Sequence, residues 1–296
     1  MTTPSHTTQP LEGASSASHE QAVHAIDVGA GAPAGGKASA GGKASAGGDA
    51  SAGGDASAGG DPSAGIEDSI VDRAIRSRRS IRAFLDRPVP DELVLHLLDV
   101  AARSPSGTNT QPWQVHILRG AALHQLVERA LAAYDDPAAL AAYPKAYDYY
   151  PLEWVSPYLE RRRKVGYDLY GLLGIARGDK VAMHRQHARN YAFFDAPVGL
   201  FFSIDRIMCQ GSWLDYGMFL QSIMVAARGH GLDTCPQAAW LDVHHVVEDF
   251  LGLTSDQALV CGMALGYARQ DAIENRLRTE REPARSFARF IEEKAP

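Results

Sequence analysis

Apolar residues recur along this chain with two different periods, and the switches between them lay out the elements. Ile70, Val71, Ala74 and Ile75 fall at i, i+1, i+4 and i+5, which predicts a short amphipathic helix. In "PVPDELVLHLLDVAARSPSG", Val94, Leu97, Leu98 and Ala101 follow at i, i+3, i+4 and i+7. Asp91 stands where an N-cap is expected, and Ser104-Pro105 with Gly107 stops the helix. "WQVHIL" then alternates as a strand, with Val115 and Ile117 on one face. Leu123, Leu126, Val127, Ala130 and Leu131 return to helical spacing. "APVGLFFSID" is a continuous apolar run of the buried-strand kind, and Leu220, Ile223, Met224 and Ala227 predict a long apolar helix beginning near Ser212. "LDTCPQAAW" reads as a short strand and turn, Leu241 to Leu251 as a helix, and "ALVCGMALGYA" as a strand.

Three regions break the pattern. Residues 134–190 are rich in Tyr, Arg and Pro and read as an insertion, helical in pieces. Residues 270–296 are polar and arginine-rich, more an arm than a core. Residues 1–66 hold five tandem copies of a six-residue Gly/Ala/Ser unit between Gly35 and Gly65. Such repeats bury too little apolar area to offset ordering entropy, so a disordered tether is expected. Within it "GAPAGGKA" resembles a phosphate-binding loop, but Ala38 replaces the magnesium-ligating hydroxyl and no strand precedes it. The folded part, 67–296, mixes helices and strands without strict alternation. The class is α+β, a central sheet flanked by helices.

Charge narrows the partners. The tail's two lysines and six acids carry −4 of the formal −6, leaving the folded part at −2. A nearly neutral body lacks the basic face of a nucleic-acid binder. No stretch approaches the ~18 apolar residues of a membrane span, and "MTTPSHTTQPLEG" has no basic start followed by an apolar run. The three cysteines, Cys209, Cys235 and Cys261, form no CxxC. A reduced, cytoplasmic protein without a structural metal is expected. His244 and His245 are adjacent, which aims them at different sides of a helix rather than at one metal ion.

Against that neutral background, "RSRRSIRAF" sets four arginines within nine residues, from Arg76 to Phe84. Guanidinium groups this dense repel one another unless an anion lies among them. Arg-x-Ser-x-Arg offers planar forks and a hydroxyl to a phosphate or an anionic ring. Taken alone, the stretch reads more readily as a solvated turn whose arginines pair with Asp72, Asp86 and Glu92. A second stretch, "SPSGTNTQPW" from Ser104 to Trp113, is a small-residue loop whose backbone can approach a ligand, with Asn109 and Gln111 adding amides.

The two stretches together, about twenty helical residues apart, resemble the opening of the FMN-dependent nitroreductase family. "GLDTCPQAAW", "LGYA" and "ENRLRTERE" continue the resemblance in order, over roughly Ile70 to Glu282. The insertion "YPLEWVSPYLERRR" is similar to the branch that includes nitrobenzoate and dinitroaniline reductases. The resemblance implies a homodimer with two FMN sites. Arg78, Ser80 and Arg82 would hold the phosphate, ribityl chain and pyrimidine edge, with Arg79 contributing backbone. Pro105, Ser106, Gly107 and Asn109 would reach the same flavin from the other subunit. Pro236, Gln237, Ala238 and Ala239 would line the ring, a backbone N–H donating to N5, and Arg276 and Arg278 would complete the phosphate site. No side chain need act as a general acid.

The implied activity is ping-pong, oxygen-insensitive reduction of nitroaromatics by NADPH or NADH, in two-electron steps to nitroso and hydroxylamine products. Alternatives keep the fold: reductive dehalogenation, quinone or flavin reduction, or flavin binding without turnover. Enteric-type members place an acid and a glycine after the proline of the ring segment, where this chain has "PQAA". Two readings of the insertion stand: Tyr150, Trp154, Tyr158 and Arg161 to Arg163 as a lid over the flavin, or as a solvated helix with one aromatic face in the core.

Overall fold

The computed structural model describes residues 67–292, so the tail at 1–66 lies outside the described residues. Its centre is one antiparallel sheet of β1 (Gln114–Leu118), β2 (Val198–Asp205), β3 (Asp233–Gln237) and β4 (Gln257–Gly266), in the spatial order β1-β2-β4-β3. The two central strands, β2 and β4, are covered on both faces and buried along nearly their whole length. That is why they read as unbroken apolar runs. Pro236 falls in β3, an edge strand, where a missing N–H is tolerated.

Helices cover both faces. α1 (Ile70–Ser77) packs on α7 (Gln210–Gly229), and α2 (Asp91–Ala101) packs on α7 from another side. The core they enclose takes Val198, Leu200, Phe202 and Ile204 of β2. α3 (Gly120–Tyr134) and α8 (His244–Leu251) bury Phe201, Trp240 and Leu259 on the opposite face. A register shift between Phe202 and Ser203 moves the residues that β4 sends to the first core from even (Ala258, Val260) to odd (Cys261, Met263, Leu265). Gly262 sits under the Trp240 ring, where an added Cβ would lie 2.4 Å from an indole carbon.

Two local expectations change. Asp91 is the first helical residue of α2 and Pro90 the N-cap; the Asp91 carboxylate is taken by Arg119 instead of by an amide of its own first turn. Its charge still suits the helix N-terminus. The segment before α8 is a 3-10 turn, Ala238–Val243, because Trp240 and Leu241 must both reach the core there. The 134–190 region forms α4 (Pro137–Ala142), α5 (Tyr158–Leu172) and α6 (Lys180–Ala188). The Tyr147 hydroxyl ties it to the sheet by donating to the Val260 carbonyl at 2.6 Å. After β4 the chain makes a 3-10 turn, Ile273–Arg276, and a short helix α9 (Ala284–Phe287). No helix among the described residues is long and apolar enough to cross a membrane.

Candidate functional site

α1 stops at Ser77, and from Arg78 the chain is extended. It runs beside the sheet: Ser80 bridges Thr234 in parallel, and Ile81 N–H donates to the Thr234 carbonyl at 3.1 Å. Further on, Phe84 bridges Ala268, and Leu85 N–H donates to the Tyr267 carbonyl at 2.8 Å. Ile81, Ala83 and Phe84 go into the core, which leaves Arg78, Arg79, Ser80 and Arg82 half-buried at its surface. Extended backbone with an apolar back thus holds the cationic forks in one row.

Asn275 locks that row to the C-terminal segment. Its buried side-chain amide donates to the carbonyls of Ala83 (2.8 Å) and Arg269 (2.9 Å), and its side-chain oxygen accepts from Arg82 N–H at 2.7 Å. Its backbone carbonyl accepts from Arg79 Nη1 at 2.6 Å and Arg278 Nη1 at 3.1 Å. All three hydrogen-bonding groups of one residue used here join chain segments almost two hundred residues apart.

The row opens on a cavity of about 1220 Å³, lined also by Arg161 and Lys164 of α5, by Leu277 and by residues 279–282. That exceeds the roughly 300–1,000 Å³ usual for a small-molecule site. Only Arg76 of the original four pairs with a carboxylate, Asp68 at 3.3 Å; Arg78, Arg79 and Arg82 have none within 4 Å among the described residues. The solvated-turn alternative, with pairing to Asp72, Asp86 and Glu92, is therefore not what forms. Burial and then Arg281 push the Arg78 guanidinium below its usual pKa, and burial and then Arg278 do the same to Arg79. Behind them the Cys235 thiol is pushed up to about 11 by burial, against the opposing pull of Arg82, Ser80 and Arg78. Uncompensated, half-buried cations in a row are a receptor for a dianion.

The second stretch lies elsewhere. Residues 105–109 do not line this cavity, and Pro105, Gly107 and Asn109 are exposed. The loop rests on α7: Gly107 N–H donates to the Asp215 carboxylate at 3.0 Å, and Ser104 and Ser222 hydroxyls bond at 2.8 Å. Thr108, Asn109 and Gln111 have φ of +51°, +61° and +48°. Three left-handed non-glycine residues in four is costly, most of all for β-branched Thr108, and such strain gathers at binding sites.

The chain matches the nitroreductase family over residues 75–267. It belongs to the nitroreductase family. It is 42% identical over 220 residues to a 4-nitrobenzoate reductase of Pseudomonas putida, covering 74% of this chain and 95% of that protein. It is 40% identical over 223 residues to a chloronitrobenzene nitroreductase of Comamonas testosteroni, 75% of this chain and 97% of that protein. Among solved structures it resembles the FMN and NADPH-dependent nitroreductase NfnB from sphigopyxis sp. strain HMH, with a TM-score of 0.71, 40% identity, and coverage of 74% of this chain and 98% of that one. The resemblance read from the ordered motifs is thus to the right family.

Set in the nitroreductase fold, the remaining candidate residues separate. Pro236 is exposed at the end of β3, Ala238 and Ala239 are half-buried, and the Gln237 side chain turns inward to donate to the Asn190 carbonyl at 2.6 Å. The structure brings Arg278 to the Arg79–Asn275 junction, but Arg276 and Arg278 are both exposed and neither lines the cavity. Of the insertion residues, Arg161 lines the cavity. Tyr150 and Trp154 instead hold Arg162, whose guanidinium lies 5.9 and 4.8 Å from their ring centroids, and Tyr158 is exposed. Among the residues at or beside the site that the sequence candidates did not include are Asn275, Arg281, Lys164 and Asp215. The "TERE" alternation of acid and base was the one visible signal for Arg281; nothing local marked Asn275.

Proposed function

We propose that this nitroreductase-family chain is an FMN-dependent NAD(P)H oxidoreductase that reduces nitroaromatic compounds in two-electron steps to nitroso and hydroxylamine products. The carrying observation is the row of half-buried guanidiniums at Arg78, Arg79 and Arg82 with no carboxylate within 4 Å. Its donor set fits a flavin mononucleotide: planar forks for a phosphate and a pyrimidine edge, and the Ser80 hydroxyl between them. Bound FMN supplies two-electron transfer between nicotinamide and acceptor. The protein binds, orients and sets the electrostatics. Arg78, Arg79 and Arg82 lower the cost of negative charge gathering beside them. Names of the relatives support the acceptor class, since they act on nitrobenzoate and chloronitrobenzene.

The exposed, strained loop at 104–113 favours a homodimer in which each copy's loop completes the other's cavity. Exposed Leu95 and Val100 of α2 and Leu214 of α7 supply apolar area for such a contact. Three free thiols, two of them buried, suit the reduced cytoplasm. The test is the visible spectrum of the purified protein with NADPH, then with a nitrobenzoate. A flavin band at one FMN per chain, bleached by NADPH and restored by the nitro compound without oxygen, is the expected result. Bleaching that only oxygen reverses would sink the nitroaromatic reading.

A further inference from the structure

We infer that the turn Arg189–Asp195 is a bracket setting the two cofactor-facing segments against each other, and that Gln237 is a positioning residue for the flavin ring, acting through that turn. The inference rests on the proposed cofactor reading, in which the ring lies along Pro236–Ala239, and adds to it what aims that backbone. Phe193, Phe194 and Asp195 stand in succession at φ of +49°, +55° and +68°. Both phenylalanines are buried, and the Phe193 ring lies over Gly199 of β2, where an added Cβ would fall 2.6 Å from it. Three successive left-handed residues without a glycine persist only where their surroundings hold them, and such strain gathers at functional sites.

What holds them is contact with both segments. On one side Arg189 Nη2 donates to the Arg82 carbonyl at 3.1 Å, and Phe84 N–H donates to the Phe194 carbonyl at 3.1 Å. Asp195 at 3.1 Å and buried Glu274 at 3.5 Å fix the Arg189 guanidinium. On the other side Gln237 Nε2 donates to the Asn190 carbonyl at 2.6 Å, and the Tyr191 hydroxyl donates to the Ala239 carbonyl at 3.2 Å. Gln237 is only 2% exposed and its side-chain oxygen accepts from Trp240 Nε1 at 3.4 Å, so this side chain serves the bracket. In the 3-10 turn that follows Gln237 the first internal donor is Trp240 N–H, which leaves the amides of Ala238 and Ala239 without a partner inside it. Neither donates outside that turn and β3 among the described residues. A link on either flank of these two half-buried residues fixes where their amides point, the support that a binding constellation needs.

The test titrates flavin-stripped full-length protein with FMN and with riboflavin, which lacks the phosphate, then measures the midpoint potential and visible circular dichroism of the bound flavin. Gln237→Met keeps the side-chain length without the donor. It is expected to raise both dissociation constants by the same factor, about tenfold, and to move the potential to more negative values, since donors at the ring favour its electron-rich reduced form. Tyr191→Phe keeps its ring and should act in the same direction by about threefold; it carries the test if Gln237→Met does not fold. Tyr147→Phe removes a similar hydroxyl-to-carbonyl bond to β4, outside the bracket, and should bind flavin as the wild type does. The inference is overturned if the bracket variants bind both flavins normally at the wild-type potential, or if Tyr147→Phe disturbs the flavin as much. It is likewise overturned if only FMN binding weakens, which would place the link at the phosphate and not at the ring. A wild type that binds neither flavin removes the cofactor reading itself, an outcome distinct from these.

Discussion

The segment Arg78–Arg82 and the loop Ser104–Trp113 are both short, polar and next to a helix, yet the protein treats them in opposite ways. The first is bound into the tertiary structure by the Thr234 bridge, by core side chains behind it and by Asn275. The second is exposed, bonded mainly within itself and to α7, and strained at three residues. The segment proposed to hold a dianion is anchored by sheet, core and Asn275. The loop proposed to meet another surface lies outside and is kept in shape by backbone geometry.

The sharpest way to break this contrast is at the thiols. Cys235 behind the arginine row is pushed up to about 11 and Cys261 to about 12, both by burial, while Cys209 is exposed. From a reference of 9.0, a thiol at about 11 has about a hundredfold less thiolate at pH 8, before access is counted. One thiol per chain should react with a disulfide reagent in the native state and three after denaturation. Rapid native reaction of two or more would mean that the arginine segment lacks the sealed backing described above.

Next in size is Asn275→Ala. It removes two donated bonds and one accepted bond from a buried position: the Arg82 N–H loses its partner, while the Ala83 and Arg269 carbonyls keep only the amides of Arg269 and Ala272. The expected loss is about 2–4 kcal/mol in urea unfolding, with FMN affinity falling too. A loss below about 1 kcal/mol would show that the row holds itself.

The smallest effect is expected for Asp215→Ala, which frees the Gly107 amide at an exposed site. Stability should change by less than about 1 kcal/mol. If the loop completes a neighbouring cavity, flavin affinity should nevertheless weaken in the dimer, and light scattering with flavin titration on the same sample reads both. Unchanged flavin affinity with an intact dimer would remove the loop from the site.

Much of this was legible in the chain because it is encoded locally. The continuous apolar runs of β2 and β4 read as strands buried on both faces, and the periodic helices α2, α3 and α7 follow from their spacing. The density of arginines raised the question of an anion, and only its pairing with the Ser104–Trp113 stretch favoured a ligand over a solvated turn. Other features had no local mark. Asp91 looked like a cap and became a partner of Arg119, because that arginine arrives from the far end of β1. Asn275 is an ordinary asparagine until folding places three backbone groups around its amide.

The amino-acid sequence by itself determined the α+β class, the family and the cationic segment, for these rest on periodicity, on motif order and on charge density, which are properties of neighbours along the chain. Tertiary structure alone decided which arginines share a cavity, that Arg281 joins Arg78 while Arg276 stays outside, and that residues 105–109 stand apart from both. Electrostatic and hydrogen-bonding energies fall off over a few ångströms of space, and only the packed sheet converts two hundred residues of separation into that distance.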